Sequence, residues 1–129
     1  MPDQSTIERV LTRATRAPSS HNTQPWLFRV GEDWIDVLAD RTRALPANDP
    51  DDRELTISCG CALMTLRIAI AAEHLGCETT LLPDQAEEDL LARLRFAGSP
   101  ETELAHLAPT INLRQTHRVA FDDRAVAQH

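Results

Sequence analysis

The chain has 129 residues and a mass of 14.4 kDa, which is one domain or a piece of one, and could bury about two-thirds of its unfolded surface. A formal net charge of −7 argues against nucleic acid or an anionic membrane as the main partner, and 42% hydrophobic with 26% charged residues describes an ordinary globular protein. Residues 1–4 (Met-Pro-Asp-Gln) lack the basic and apolar segments of a signal peptide, and no apolar stretch reads as a bilayer span, so the expected compartment is cytoplasmic.

All thirteen basic residues are Arg, so any anion site must use a guanidinium group. Three cysteines without a C-x-x-C spacing make a disulfide framework an unsuitable reading. Cys59 and Cys61 diverge on a helix, so no metal site is assigned to them with His74 and Cys77.

In chain order, Ser5 to Ala17 predicts an amphipathic helix. Ile7, Val10, Leu11 and Ala14 form its apolar stripe, and Ser5 with Glu8 has the spacing of a capping box. Arg13 and Arg16 suit the negative end of its dipole, and Pro18 ends it. Trp26 to Val30 and Trp34 to Leu38 read as a hairpin around Gly31-Glu32-Asp33, with the tryptophans as packing anchors. A second helix begins near Asn48, with Asp49 as N-cap and Pro50 in the first turn. From Ile57 to Ala72 it is apolar nearly all round except at Ser58, Thr65 and Arg67, which places it inside a larger structure. Gly60 would admit another backbone, and Gly76 is the expected stop. Cys77 to Leu82 predicts a strand. The segment from Asp89 to Ala97 fits helix or strand, with strand preferred, and Pro100 to Ala108 a short helix closed by Pro109.

Two stretches carry the functional signal. The first runs from Ala17 to Trp26 and packs three hydroxyls, two carboxamides and an imidazole into ten residues stiffened by two prolines. It reads as a rigid polar ligand loop. The second, Thr110 to Phe121, holds Arg114 and Arg118 four apart. One helical turn would bring both guanidinium groups and Thr116 to one side as a phosphate grip, although two solvated surface arginines give the same spacing. The chain then stops at residues 122–129 where a new helix would begin, as a truncated protein would.

Together these stretches resemble a known family. Ala17-Pro18-Ser19-Ser20, Asn22, Gln24-Pro25-Trp26 and Phe28 are similar to the A-P-S-S-x-N-x-Q-P-W-x-F pattern of the FMN-dependent nitroreductases. Arg114, Thr116 and Arg118, with Phe121 after them, resemble that family's R-x-S-x-[RK]-x-F element, with Thr in place of Ser and one extra residue before the Phe. The order is inverted relative to ordinary members, and resembles the first repeat of a long branch in which two repeats are fused. The resemblance implies an α+β fold with a small mixed or antiparallel sheet and helices around a buried central helix, or an incomplete half of a two-repeat fold. Residues 1–113 would be the first repeat and 114–129 the start of a second, or a C-terminal arm. It further implies FMN as cofactor, with Arg114, Gln115, Thr116 and Arg118 on the phosphate, ribityl and flavin edge. Pro18, Ser19, Ser20 and Asn22 would cover the ring, and Gln24 and Trp26 would hold that loop. NAD(P)H would be the electron donor and a nitro compound or quinone the small-molecule acceptor. A homodimer or a missing second repeat would complete the site. No side chain is implied as acid or base, because the flavin carries the electrons. A non-catalytic FMN-sequestering module and a cofactor-free fragment are the alternatives.

Overall fold

The computed structural model describes residues 2–125 and 127. Helix α1 (Gln4–Ala14) is followed by a one-turn 3-10 segment (Ser20–Asn22), strands β1 (Trp26–Val30) and β2 (Trp34–Ala39), and a second 3-10 turn (Arg41–Arg43). Helix α2 (Arg53–Ala72), strands β3 (Cys77–Leu81) and β4 (Leu90–Phe96), and the single turns α3 (Thr102–Ala105) and α4 (Thr110–Leu113) complete the order. The strands form one antiparallel sheet in the order β1-β2-β4-β3, so β4 inserts between the hairpin and its own predecessor.

One face of this sheet carries the core. Ile35 and Val37 of β2 and Ala92 and Leu94 of β4 alternate inward. They meet Val10 and Ala14 of α1 and Leu66, Ala69 and Ile70 of α2, and all nine are fully buried. A second cluster, with Ala17, Trp26, Ala39, Leu55, Cys59 and Ala62, lies where the 17–26 loop crosses the first turns of α2. Trp26 therefore anchors the loop end in the core, whereas Trp34 packs on the opposite sheet face beneath the Arg93 guanidinium, 4.3 Å from its ring centroid. Gly31 is required at the hairpin turn, because a Cβ there would stand 2.1 Å from the Trp34 ring.

The helix ends differ from the sequence expectation. Asp3, not Ser5, caps α1: its carboxylate accepts from the Thr6 amide at 2.7 Å and from the Ser5 hydroxyl at 2.9 Å. The helix stops at Ala14, before Pro18, so Arg16 lies beyond it. Arg9 and Arg13 instead pair with Glu73, at 2.8 and 3.1 Å, and tie α1 to the far end of α2. Helix α2 starts at Arg53 rather than near Asn48. Asp49 serves it from outside, accepting from the Leu55 amide at 2.9 Å. Burial raises the Asp49 pKa, but the amides of Leu55, Glu54 and Arg53 outweigh that and hold it below the ordinary carboxylate value. The stop belongs to His74 (φ 58°), after which the Leu75 amide returns to the Ile70 carbonyl at 3.2 Å. Gly76 instead packs against the Ala97 and Gly98 backbone.

By length and composition α2 could cross a membrane, with a mean hydropathy of 1.8, contrary to the reading that no stretch is long enough. In the fold it lies against α1, the loop and the sheet. It is not covered all round: Ile57 and Met64 are 52% and 39% exposed. Segment 89–97 is strand, as preferred. The 100–108 helix is reduced to α3, and the chain continues past Pro109 into α4.

Candidate functional site

The 17–26 loop owes its shape to three consecutive constraints. Ala17 is buried and Pro25 and Trp26 re-enter the core, so the residues between them must turn within a short span. They do so with His21, Asn22 and Gln24 all in the left-handed region (φ 50°, 56° and 50°). Such conformations cost roughly 1 kcal/mol or more for a residue with a Cβ, least for Asn, and persist where surrounding bonds impose them. The bonds are present. The Ser19 hydroxyl accepts from the Gln24 amide at 3.0 Å, and the Ser20 amide donates to Ser58 Oγ at 3.1 Å. The Ser20 hydroxyl donates to the Glu54 carboxylate. His21 Nε2 is 3.2 Å from Asn48 Nδ2. Beneath the loop, the Cys59 thiol donates to the Pro25 carbonyl at 3.1 Å, and burial pushes its pKa up to about 11, which makes it a packing group and not a nucleophile.

Pro18, Ser19 and Ser20 then form one wall of a groove of about 350 Å³. Ile57, Ser58 and Cys61 of α2 form the opposite wall, and Glu54 stands at one end. Its surfaces are mostly apolar, with a carboxylate and hydroxyls at the edge, a shape that accepts a flat ring. Among the sequence-predicted residues, Asn22 does not line this groove. It faces a second concavity of about 400 Å³, together with Thr15, Arg16, Ala17, Gln24, Ile111, Asn112, Arg114 and Gln115. The fold thus brings Asn22, Arg114 and Gln115 together, and separates them from Pro18, Ser19 and Ser20.

The helical turn expected over Arg114 to Arg118 is not formed. Helix α4 ends at Leu113, Arg114 is extended (ψ 129°), and residues 114–125 are exposed without regular structure. With few apolar side chains to bury, and Leu113, Val119 and Phe121 all more than two-thirds exposed, nothing offsets the cost of ordering a helix there. Arg114 reaches Thr116 Oγ1 at 3.2 Å and the Arg16 carbonyl at 3.4 Å, while Arg118 does not join them. A helix at the chain end would also involve residues 126, 128 and 129, which lie outside the described residues; residues 122–125 are not helical. Among the described residues, no three His, Cys, Asp or Glu side chains converge as a metal would require.

Sequence reasoning missed Glu54 and Arg16. Ser58, a hydroxyl in an otherwise apolar helix and four residues from Glu54, was the available signal for the α2 side of the groove. Arg16 had an adequate explanation in the helix dipole, which hid it.

No family model matches the chain. Two proteins of Mycobacterium tuberculosis are similar to it along most of its length. One, named "Putative NAD(P)H nitroreductase Rv3131", is 37% identical over 121 residues, covering 93% of this chain and 35% of its own length. Another, named "Putative NAD(P)H nitroreductase acg", is 32% identical over 117 residues, 89% of this chain and 35% of its own. The chain therefore spans about a third of these curated relatives. Among solved structures, a nitroreductase family protein from Streptococcus pneumoniae superposes with a TM-score of 0.64 at 17% identity, over 96% of this chain and 91% of that one. A nitroreductase from Desulfovibrio desulfuricans in complex with FMN gives 0.61 at 21% identity, over 78% and 76%.

Proposed function

Because the chain belongs to the nitroreductase family and has its α+β fold, we propose that it contributes half-sites for FMN to an oxidoreductase that passes electrons from NAD(P)H to nitro compounds or quinones. The observation that carries this is the Pro18–Ser20 wall, bonded to α2 through Ser58 and Glu54 and continuing into the strained, left-handed residues His21, Asn22 and Gln24. Strain maintained by a bonded surround is characteristic of ligand-facing loops.

The residues fit the cofactor in two separate parts. The groove of Pro18, Ser19, Ser20, Ile57 and Cys61 suits the isoalloxazine, and the concavity of Arg114, Gln115 and Asn22 suits the phosphate end. Arg118 and Thr116 would join the phosphate side once the 114–129 segment is ordered as the opening of a second repeat, or as an arm of a second copy. That arrangement assigns each half of one chain to a different flavin, completed by a homodimeric partner or a second repeat. Bound FMN would supply the electron transfer, so no side chain need act as acid or base. The chain's own residues bind, orient the ring and keep water from it.

Purified chain incubated with FMN should retain yellow colour after desalting, and NADPH should bleach it until a nitroaromatic or quinone is added. Flavin that is held but never reduced would identify a sequestering module instead. A colourless protein that takes up no FMN would overturn the flavin reading for these residues.

A further inference from the structure

Helix α2 leaves a trough on its β3 side that neither the loop nor the C-terminal segment uses. Thr56, Gly60, Leu63 and Arg67 recur three and four apart and so form one stripe, which runs roughly 16 Å along the helix axis. Cys77, Thr79 and Leu81 alternate along β3 and make the opposite wall. Between the walls lie two concavities of about 510 and 240 Å³, which meet at Gly60, Leu63 and Leu81. No residue lines both this trough and the Pro18–Ser20 groove.

The two ends of the trough differ in chemistry. The end toward Thr56 is apolar, floored by Val37 and Ala92 and flanked by Leu82 and Leu91. Leu82 stands there exposed and left-handed (φ 46°), a costly backbone for a bulky side chain, pinned by its amide on the Leu91 carbonyl at 2.9 Å. The other end holds Arg67, Cys77, Thr79 and Glu101. Arg67 Nη2 donates to both Glu101 oxygens, at 2.9 and 2.8 Å, so this end carries no uncompensated charge. Arg67 Nε and the Thr79 hydroxyl are shut from water, yet neither has a hydrogen-bond partner among the described residues. Buried polar atoms are nearly always paired. A donor and a hydroxyl left over at one end of a cavity therefore call for an acceptor that the chain itself does not supply.

We propose that this trough binds a neutral amphipathic small molecule, with an aliphatic chain along Leu63, Leu81 and Leu82 and an uncharged carbonyl head at Arg67 and Thr79. The volumes and the mostly apolar walls with a few polar groups at one end are those of small-molecule sites. A turn of the Thr79 side chain about its first torsion presents the hydroxyl to an oxygen seated beside Arg67. The head is neutral because of the ion pair: a carboxylate would meet Glu101 with the Arg67 charge already taken, and an ammonium would find Glu101 already paired. The site stands apart from the flavin reading and does not rest on it.

Methyl NMR of the chain titrated with decanamide and, separately, with decanoate tests the site. Decanamide should shift the Met64 and Leu81 methyls saturably and leave Leu27, exposed on β1 outside the trough, nearly still. Decanoate should bind at least about tenfold more weakly, because its charge faces Glu101. Thr79→Val keeps a β-branched residue in the strand and removes the hydroxyl. It should weaken decanamide about fivefold, the scale of one neutral hydrogen bond. It should not lower the melting temperature, since that hydroxyl is unpaired in the free chain. Leu81→Asp, at a position already exposed, should abolish binding and leave the fold intact. Decanoate binding as tightly as decanamide, or decanamide binding indifferent to Thr79→Val, would overturn the proposal. Unsaturable shifts shared with Leu27 would overturn it as well. Met64 and Leu81 signals that move on dilution of the chain and ignore decanamide would make the trough an interface between copies, and the ligand site would fall.

Discussion

Asp36 occupies the middle of β2 and points to the sheet face that no helix covers, yet its side chain has no exposed surface. Its neighbours across the strands provide the cover. Arg29 on β1 and Arg93 on β4 stand opposite it in register and donate to its two oxygens at 2.6 to 3.0 Å. Glu87 pairs with Arg29 in turn, and Trp34 lies flat beneath Arg93. Burial raises the Asp36 pKa, but hydrogen bonds from Arg93 and Arg29 outweigh it and leave the carboxyl below its ordinary value of 3.8. A folded-state pKa below the unfolded one means a contribution to stability that is complete above the unfolded value and lost as pH falls through the folded one. Asp36→Asn should therefore destabilise the fold by about 2 kcal/mol at neutral pH, less than for a fully buried pair because both arginines are partly exposed and can be rehydrated. Urea titrations at descending pH should show the wild-type and variant stabilities converging in acid. A gap that stays constant with pH would show that packing, not charge, is what Asp36 contributes.

The elements themselves were legible where a local pattern decides them. The hairpin follows from Gly31-Glu32-Asp33 between two β-rich runs and α2 from its long, nearly all-round apolar run; β4 was legible only as a preference, because segment 89–97 fits helix or strand, and its inward alternation at Leu90, Ala92 and Leu94 emerges in the fold. Their ends were less legible, because several residues near each end have similar capping chemistry. Asp3 and Ser5 both offer a capping oxygen, and Asp3 takes the role on the Thr6 amide; His74 takes a left-handed position for which Gly76 was the better candidate. Sheet order was not readable, since the placement of β4 between β2 and β3 depends on contacts more than fifty residues apart. The same holds for the site. Pro18 to Ser20 announced itself by composition, whereas Glu54, Ser58 and Arg16 join it only through the packing of α2 and α4 on the loop. The His74 position offers a direct check. It is exposed and left-handed, so His74→Gly should relieve strain and stabilise the chain by up to about 1 kcal/mol, or raise the melting temperature by about 4 °C. A lower melting temperature would show that the His74 side chain makes a contribution larger than its backbone cost.

At the scale of the whole molecule, α1 and the sheet leave one side of α2 unpartnered. Ile57 and Met64 lie exposed along it, and Leu81 and Leu82 extend the apolar surface beyond the end of β3 at 65% and 64% exposure. A surface of this kind is usually covered in the assembled protein, and a second copy or a second repeat is what the proposed flavin site requires. Gly60 makes the two situations distinguishable. It sits in the interior of α2, where Gly costs nearly 1 kcal/mol relative to Ala, and a Cβ added there meets nothing within 4 Å in the single chain. If α2 faces only water, Gly60→Ala should stabilise the protein at every concentration by about that amount, with no other consequence. If another backbone packs closely on this face, the added methyl intrudes on it. The dilute variant should then melt higher than wild type, while light scattering at increasing concentration shows weaker association. Ile57→Arg provides the second arm: it should abolish association and leave the melting of the dilute chain nearly unchanged, because Ile57 is already half exposed. A wild-type chain that remains monomeric at high concentration, with Gly60→Ala uniformly stabilising, would rule out the second copy as the cover and leave the second repeat.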